Sequence, residues 1–332
     1  MKEVLLALVL VMGLVLVPAS TLAKGNKAPV GQGQDGQDGQ DGNQGEAPGP
    51  SWGYDFFAVV NTNGTLARGT PGTAVTHPGA GRYDVRFPAS VAGCAAVGNL
   101  GYPGTVEIFT FPAVVTVRAT NGRTVLVDVT FPGNVAGGYP NSPVLRDNSF
   151  HLHVDCRHAL FANVAANGSL TSASPGVTAA AHVAGSGGYV LNFGRDISKC
   201  APVGTVQTNS GRTAQAVQTY IALRTGGQSL QVSVNDSTTK AVDNAFGLVV
   251  TCGEEPVAVY PVSDGFYNAT PIPQAVLCAI TANWYNSTPG GAPSNQGYVS
   301  TWTTTTNTAV VQTKNGGYGV QPGNGVDLVA SC

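Results

Sequence analysis

Three of the five histidines crowd together at His151, His153 and His158, with Asp155 among them. On a strand, His151, His153 and Asp155 share one face, because side chains alternate with a period of two. Two imidazoles and a carboxylate form a donor set for a divalent ion such as Zn²⁺. The aligned stretch of a second repeat, described below, has Gly247 and Val249 at the histidine positions, so the fold does not demand ligands there. The expectation is solvent-facing polar side chains and no metal, with His151, His153 and Asp155 as the weak candidate set.

Other chemistry finds little footing. A G-x-S-x-G nucleophile elbow needs a strand before the serine and a helix after it. Gly49-Pro50-Ser51-Trp52-Gly53 matches the string but follows a Gly/Gln/Asp-rich stretch, and Ala184-Gly185-Ser186-Gly187-Gly188 lies in a loop before a strand. Glu254 and Glu255 are adjacent and would point apart on a strand. A glycosidase pair can come from distant positions, yet the chain has only 18 acidic residues, several of them near the N-terminus. Trp284 and Trp302, with Tyr285 and Tyr298, could stack on sugar rings, although packing on or within a sheet is the commoner use of such residues. No catalytic residue and no cofactor is expected, and the reading is that the protein is not an enzyme.

The elements that would position any site are repeated. Phe57-Ala58-Val59-Val60-Asn61-Thr62-Asn63-Gly64-Thr65-Leu66 aligns with Phe161-Ala162-Asn163-Val164-Ala165-Ala166-Asn167-Gly168-Ser169-Leu170. Tyr83, Val85 and Phe87 align with Tyr189, Leu191 and Phe193, and a cysteine follows seven residues after each Phe, at Cys94 and Cys200. The repeats close alike, Leu152-His153-Val154-Asp155-Cys156 against Leu248-Val249-Val250-Thr251-Cys252. A shorter third copy begins near Val257, keeps Cys278-Ala279-Ile280, and ends Leu328-Val329-Ala330-Ser331-Cys332. A period of about 100 residues suits a small domain rather than a solenoid turn.

Asn-Gly between apolar runs signals a hairpin, and Tyr83, Val85 and Phe87 alternate with polar residues as on a half-buried strand. A second hairpin runs from Val115 to Val129 around Asn121-Gly122, and its counterpart from Ile221 to Val234 around Gly226-Gly227. No helical period is evident after the first residues. The fold class is therefore all-β: tandem small antiparallel β-sandwich-like modules of about six strands each, at 55–156, 157–253 and 254–332. The six cysteines fall two per module, predicting Cys94–Cys156, Cys200–Cys252 and Cys278–Cys332. Their spacing fits neither a structural zinc site nor a CxxC redox pair.

The chain opens with Lys2 and an apolar run from Val4 to Val17, the pattern of a signal peptide with cleavage expected after Ala23, with an uncleaved membrane anchor as the alternative. Export agrees with paired cysteines. Residues 24–54 form a second segment in which Gly33, Gly36, Gly39, Gly42 and Gly45 recur every third residue. That period is what a collagen triple helix needs, but no proline lies within the triplets, so a flexible linker is the first reading and a homotrimeric collagen-like stalk the second. Charged residues make up only 10% of the chain and the net charge is −2, against about 25% charged in an ordinary domain. That gives no electrostatic footprint for nucleic acid, or for a membrane once the leader is removed. The Asn-x-Ser/Thr sequons at Asn63 and Asn167 coincide with the hairpin turns, which turn chemistry explains without glycosylation.

The string F-A-x-V-x-x-N-G-(T/S)-L, then G-x-Y with a Phe on the same strand, then C-A-x-V-G and L-x-V-x-C, resembles a class of secreted bacterial β-module repeat proteins. Residues 55–252 carry the resemblance, and the third copy carries it weakly. The Gly-x-y segment before a β head is similar to that of collagen-like bacterial surface proteins. The resemblance implies an extracellular or cell-envelope location and brings no catalytic residues. The expected function is a secreted structural or interaction protein of the cell surface or extracellular matrix, with proteins or polysaccharides as partners. A carbohydrate-binding or adhesin protein is the alternative, and an extracellular hydrolase comes third.

Overall fold

Short runs of Val, Thr, Phe and Tyr between glycine-rich turns form strands throughout the residues that the computed structural model describes. These are 55–104, 113–131, 142–156, 160–215, 227–236 and 240–252, the backbones of strands at 217–223 and between 258 and 331, and the side chain of Thr301. The leader and the Gly-x-y segment lie outside them. Repeat 1 contributes β1 (Asp55–Val60), β2 (Leu66–Gly69), β3 (Ala74–Gly79), β4 (Arg82–Arg86), β5 (Ala95–Gly101), β6 (Val114–Ala119), β7 (Thr124–Phe131), β8 (Val144–Leu145) and β9 (Phe150–Asp155). Repeat 2 contributes β10 (Leu160–Val164), β11 (Leu170–Ala173), β12 (Thr178–His182), β13 (Gly188–Asn192), β14 (Ala201–Val206), β15 (Val217–Leu223), β16 (Ser229–Asp236) and β17 (Phe246–Thr251). Repeat 3 contributes β18 (Ala258–Ser263), β19 (Phe266–Thr270), β20 (Ala279–Tyr285), β21 (Gly297–Thr305), β22 (Thr308–Asn315) and β23 (Gly325–Ser331). No helix long and apolar enough to cross a membrane occurs among the described residues.

The fold is all-β, with small antiparallel sheets. In repeat 1 the order β2-β1-β9-β5 faces β3-β4-β7-β6, and in repeat 2 β11-β10-β17-β14 faces β12-β13-β16-β15, strand for strand the same. Tyr83, Val85 and Phe87 lie in the first core with Phe56, Leu152 and Val127, and Tyr189, Leu191 and Phe193 occupy the same places in the second. Repeat 3 keeps β18-β19-β22-β21 and the pair β20-β23. Among the described residues of repeat 3, no strand corresponds to β1 or β2. Repeats 1 and 2 thus have more strands than the six expected. β3 carries a proline and alternates between half-buried and exposed residues at the sheet edge, a pattern that reads as loop in sequence.

The Asn-Gly turns form as expected. Gly64 and Gly168 have φ of +81° and +84°, and a Cβ at either would lie 2.6 Å from the Cβ of His77 or His182. Only glycine meets both demands. Cys94–Cys156 and Cys200–Cys252 are bonded, each joining residues directly opposite on neighbouring strands, one step beyond Ala95–Asp155 and Ala201–Thr251. Their Cα separation of 4.3 Å suits a pair without ladder hydrogen bonds. Cys278 and Cys332 lie outside the described residues, but β20 and β23 pair Ala279 with Ser331 in the same register.

The repeats are not separate beads. β5 of repeat 1 pairs in parallel with β21 of repeat 3 at Gly101–Thr301. β20 of repeat 3 pairs in parallel with β15 of repeat 2 at Tyr285–Ile221. Just past β14 of repeat 2, the Thr208 N–H donates to the carbonyl of Val117 on β6 of repeat 1, 3.2 Å away. The junctions are equivalent. Gly101 and Tyr285 both stand seven residues after the first cysteine of their repeat. Thr208 stands eight after Cys200, as Tyr102 does after Cys94, and the Tyr102 N–H bonds the Thr301 carbonyl at 2.9 Å. Val117, Ile221 and Thr301 occupy one equivalent position, each opposite the central residue of β7, β16 or β22. Three copies therefore close a ring with approximate threefold symmetry inside one chain.

Candidate functional site

Ring closure decides the environment of the histidine strand. β9 is a central strand, paired to β1 and β5. Its Phe150, Leu152 and Val154 fill the core of repeat 1, so His151, His153 and Asp155 point to the opposite face. In a lone sandwich that face would meet water, as the sequence reading expected. Instead the three residues are 0%, 3% and 0% exposed. The neighbouring β5 is covered by Phe161, Val203 and Val249 of repeat 2, and β20 of repeat 3 lies against β9. The ring buries this face, and a repeat alignment does not reveal the ring.

Nor do the three candidates act together. His151 Nδ1 lies 3.2 Å from the hydroxyl of Thr301, which also accepts from Asn99 Nδ2 at 3.3 Å, so His151 belongs to the junction with repeat 3. The potential ligand atoms of His153, Asp155 and Asp55 lie within 4.8 Å of one another. Asp55 enters because it faces Asp155 directly across β1 and β9, while His153 faces Phe57 two pairs further along, on the same face. Strand pairing is the signal that identifies Asp55, and the sequence does not carry it.

His153 is the unsettled member. Neither ring nitrogen has a hydrogen-bond partner among the described residues, whereas Asp55, Asp155 and His151 each have further partners. Desolvation lowers its pKa to about 4, opposed by the charge of Asp55, so the imidazole is neutral at physiological pH. Leaving a buried polar group unpaired costs about 1–3 kcal/mol. Repeats 2 and 3 avoid that cost with Val249 and Val329 at the same position. The donor set of one imidazole and two carboxylates suits a borderline divalent ion.

No family model matches the chain. No curated protein matches it, nor does any solved structure. The site has to be read from its own geometry.

Two further constellations were not read from the sequence. His77 stacks on Tyr83 with ring centroids 4.6 Å apart and reaches Asp147 at 2.9 Å. In repeat 2, His182 stacks on Tyr189 at 4.3 Å and lies 3.5 Å from Asp243. Each tyrosine hydroxyl bonds the backbone on both sides of its sandwich end, Thr62 and Asn148 in one case, Ala166 and Asn244 in the other. Burial pushes both hydroxyls up from their ordinary pKa, the wrong direction for an acid or a nucleophile at neutral pH. These are anchors of the fold. The signal was present as Asp147-Asn148 and Asp243-Asn244 at matching positions.

The second constellation is Arg212, on the loop after β14. It reaches into repeat 1, bonding Asp128 at 2.9 and 2.7 Å, Asp84, and the carbonyls of Tyr83 and Val127 at 3.2 and 3.0 Å. Of the aromatic candidates, Trp284 and Tyr285 are consecutive on β20, while Tyr298 and Trp302 lie on β21, a strand of a different sheet. Ser186 and its flanking glycines hold a turn rather than an elbow, with the backbone N–H groups of Gly185 and Gly187 donating to Asp243.

Proposed function

We propose that the protein is an extracellular structural or interaction protein of the cell surface or matrix, in which a three-part β head follows a Gly-x-y segment. The observation that carries this reading is what the repeats share. Repeats 1 and 2 share strand order, turn glycines, a bonded cysteine pair and a core tyrosine anchor, and repeat 3 keeps the strand pairing next to its two cysteines, all of which serve architecture. On the face of the closing strand that points away from the core, the side chains differ from copy to copy, with Val249 and Val329 at the place of His153. The two disulfides suit an oxidising compartment, in agreement with an export leader. The ring gives the head three related outer faces, so weak contacts to protein or polysaccharide partners gain avidity through effective concentration.

Labelled mature protein incubated with cell-wall and matrix preparations tests this. Saturable retention without release of soluble fragments is expected; no retention, or progressive release of sugar or peptide products, overturns it. The carbohydrate-binding alternative rests on Trp284, Trp302, Tyr285 and Tyr298. It predicts glycan-array binding that Trp284→Ala and Trp302→Ala abolish.

A further inference from the structure

We propose that Asp55, His153 and Asp155 bind one divalent transition-metal ion of the Zn²⁺ class, which clasps the first strand of the head to its central strand. Three observations converge. The ligand atoms lie within 4.8 Å of one another, and Zn²⁺ with bonds of about 2.0–2.2 Å draws its ligands to within about 3.5 Å, a closure of roughly one ångström by side-chain rotation. The imidazole of His153 is buried with both nitrogens unpaired, so a ring nitrogen is available as a donor without breaking an existing bond. Two carboxylates match the charge of a divalent ion.

The imidazole sets the ion class. Ca²⁺ and Mg²⁺ take all-oxygen shells, whereas imidazole with carboxylate suits Zn²⁺ and its neighbours. Access is provided on one side, since Asp55 is half-buried while His153 and Asp155 are buried. A water molecule would complete a tetrahedron from that side. The site belongs to repeat 1 alone, because Val249 and Thr251 in repeat 2, and Val329 and Ser331 in repeat 3, take the places of His153 and Asp155. Asp55 is the first residue of β1 and directly follows the segment assigned as linker. A metal there fixes the point at which the β head begins.

The test uses the full mature chain, stripped with a chelator and kept free of reductant so that no thiols compete. Titration calorimetry with Zn²⁺ should show one tight site per chain, together with a rise in melting temperature. Asp155→Asn should weaken binding by ten- to a hundredfold. His153→Val, which installs the residue found at this position in the other two repeats, should abolish the site while leaving the metal-free protein at least as heat-stable as the metal-free parent. A tight site that survives His153→Val, a chelated parent that binds Zn²⁺ no better than this variant, or a preference for Ca²⁺ overturns the proposal. Should the variant fail to fold, zinc-edge X-ray absorption on the parent decides. A first shell with one imidazole and oxygen donors supports the site, and sulfur or several imidazoles refutes it.

Discussion

Replacing Arg212 with alanine should damage repeat 1 although the residue belongs to repeat 2. Its guanidinium is the counter-charge of Asp128, which is 1% exposed, and it also bonds Asp84 and two carbonyls. Removing one partner of a buried pair leaves the other charge uncompensated and costs about 3–5 kcal/mol, against 0–1 kcal/mol for an exposed pair. Arg212 has a φ of +48°, a left-handed conformation that costs a non-glycine residue about 1–2 kcal/mol. Arg212→Gly should therefore be the milder variant by about 1–2 kcal/mol, the left-handed strain that alanine keeps and glycine does not. Neutralising the stranded carboxyl in Arg212→Ala/Asp128→Asn should restore part of the loss, with a coupling energy of about 1–3 kcal/mol.

The pH dependence has a definite sign. Burial raises the Asp128 pKa above its ordinary value and Arg212 opposes the rise, so deleting Arg212 raises it further. A carboxyl whose folded pKa exceeds its unfolded value binds more protons when folded, and stability falls as pH rises between those values. The deficit of Arg212→Ala should be largest at pH 7 and shrink toward pH 4. Urea denaturation followed by far-ultraviolet circular dichroism at both pH values measures it. A loss below about 1 kcal/mol at pH 7, or a deficit that grows on acidification, would refute the buried-clamp argument.

Non-reducing peptide mapping should recover a Cys278–Cys332 bridge, because β20 and β23 repeat the register of the two bonded pairs; a bridge between repeats would break the equivalence. Removing Cys200–Cys252, whose residues are 52 apart, should cost about 4 kcal/mol in the chain-entropy view, read as a shift of the denaturation midpoint. Tyr83→Phe and Tyr189→Phe should each cost about 1–3 kcal/mol by stranding backbone groups at Asn148 and Asn244. Their effects should add, since the tyrosines sit in separate cores. Sedimentation should give a monomer with or without residues 24–50, and a trimer that needs this segment would instead favour the collagen-like stalk.

What the sequence reveals here is what lies within one repeat. Asn63-Gly64, the Tyr83-Val85-Phe87 alternation and the cysteine spacing all report on neighbours in one sandwich, and duplication made them readable twice. What lies between repeats left no such trace. His153 and Asp155 read as exposed because a sandwich has an outer face, and nothing in the string says that repeats 2 and 3 cover it. Gly247 carried a clue. A Cβ there would lie 2.7 Å from the Ala96 carbonyl of repeat 1, so its smallness reflects a neighbour rather than tolerance. Asp55 escaped notice because which strand pairs with β9 is a property of topology.

Ring closure also constrains how the molecule can be shortened. A chain truncated after Cys252 would lose β20 and β21, leaving β5 of repeat 1 and β15 of repeat 2 with unpaired edges. These edges are complementary, since β15 is the repeat-2 counterpart of β21, the strand that β5 normally pairs with, and they sit on different repeats. Such head-to-tail complementarity need not close on itself and propagates instead. Proteolytic fragments and prematurely terminated chains should therefore assemble into swapped oligomers or filaments, so the last and shortest repeat serves as the chain's guard against polymerisation.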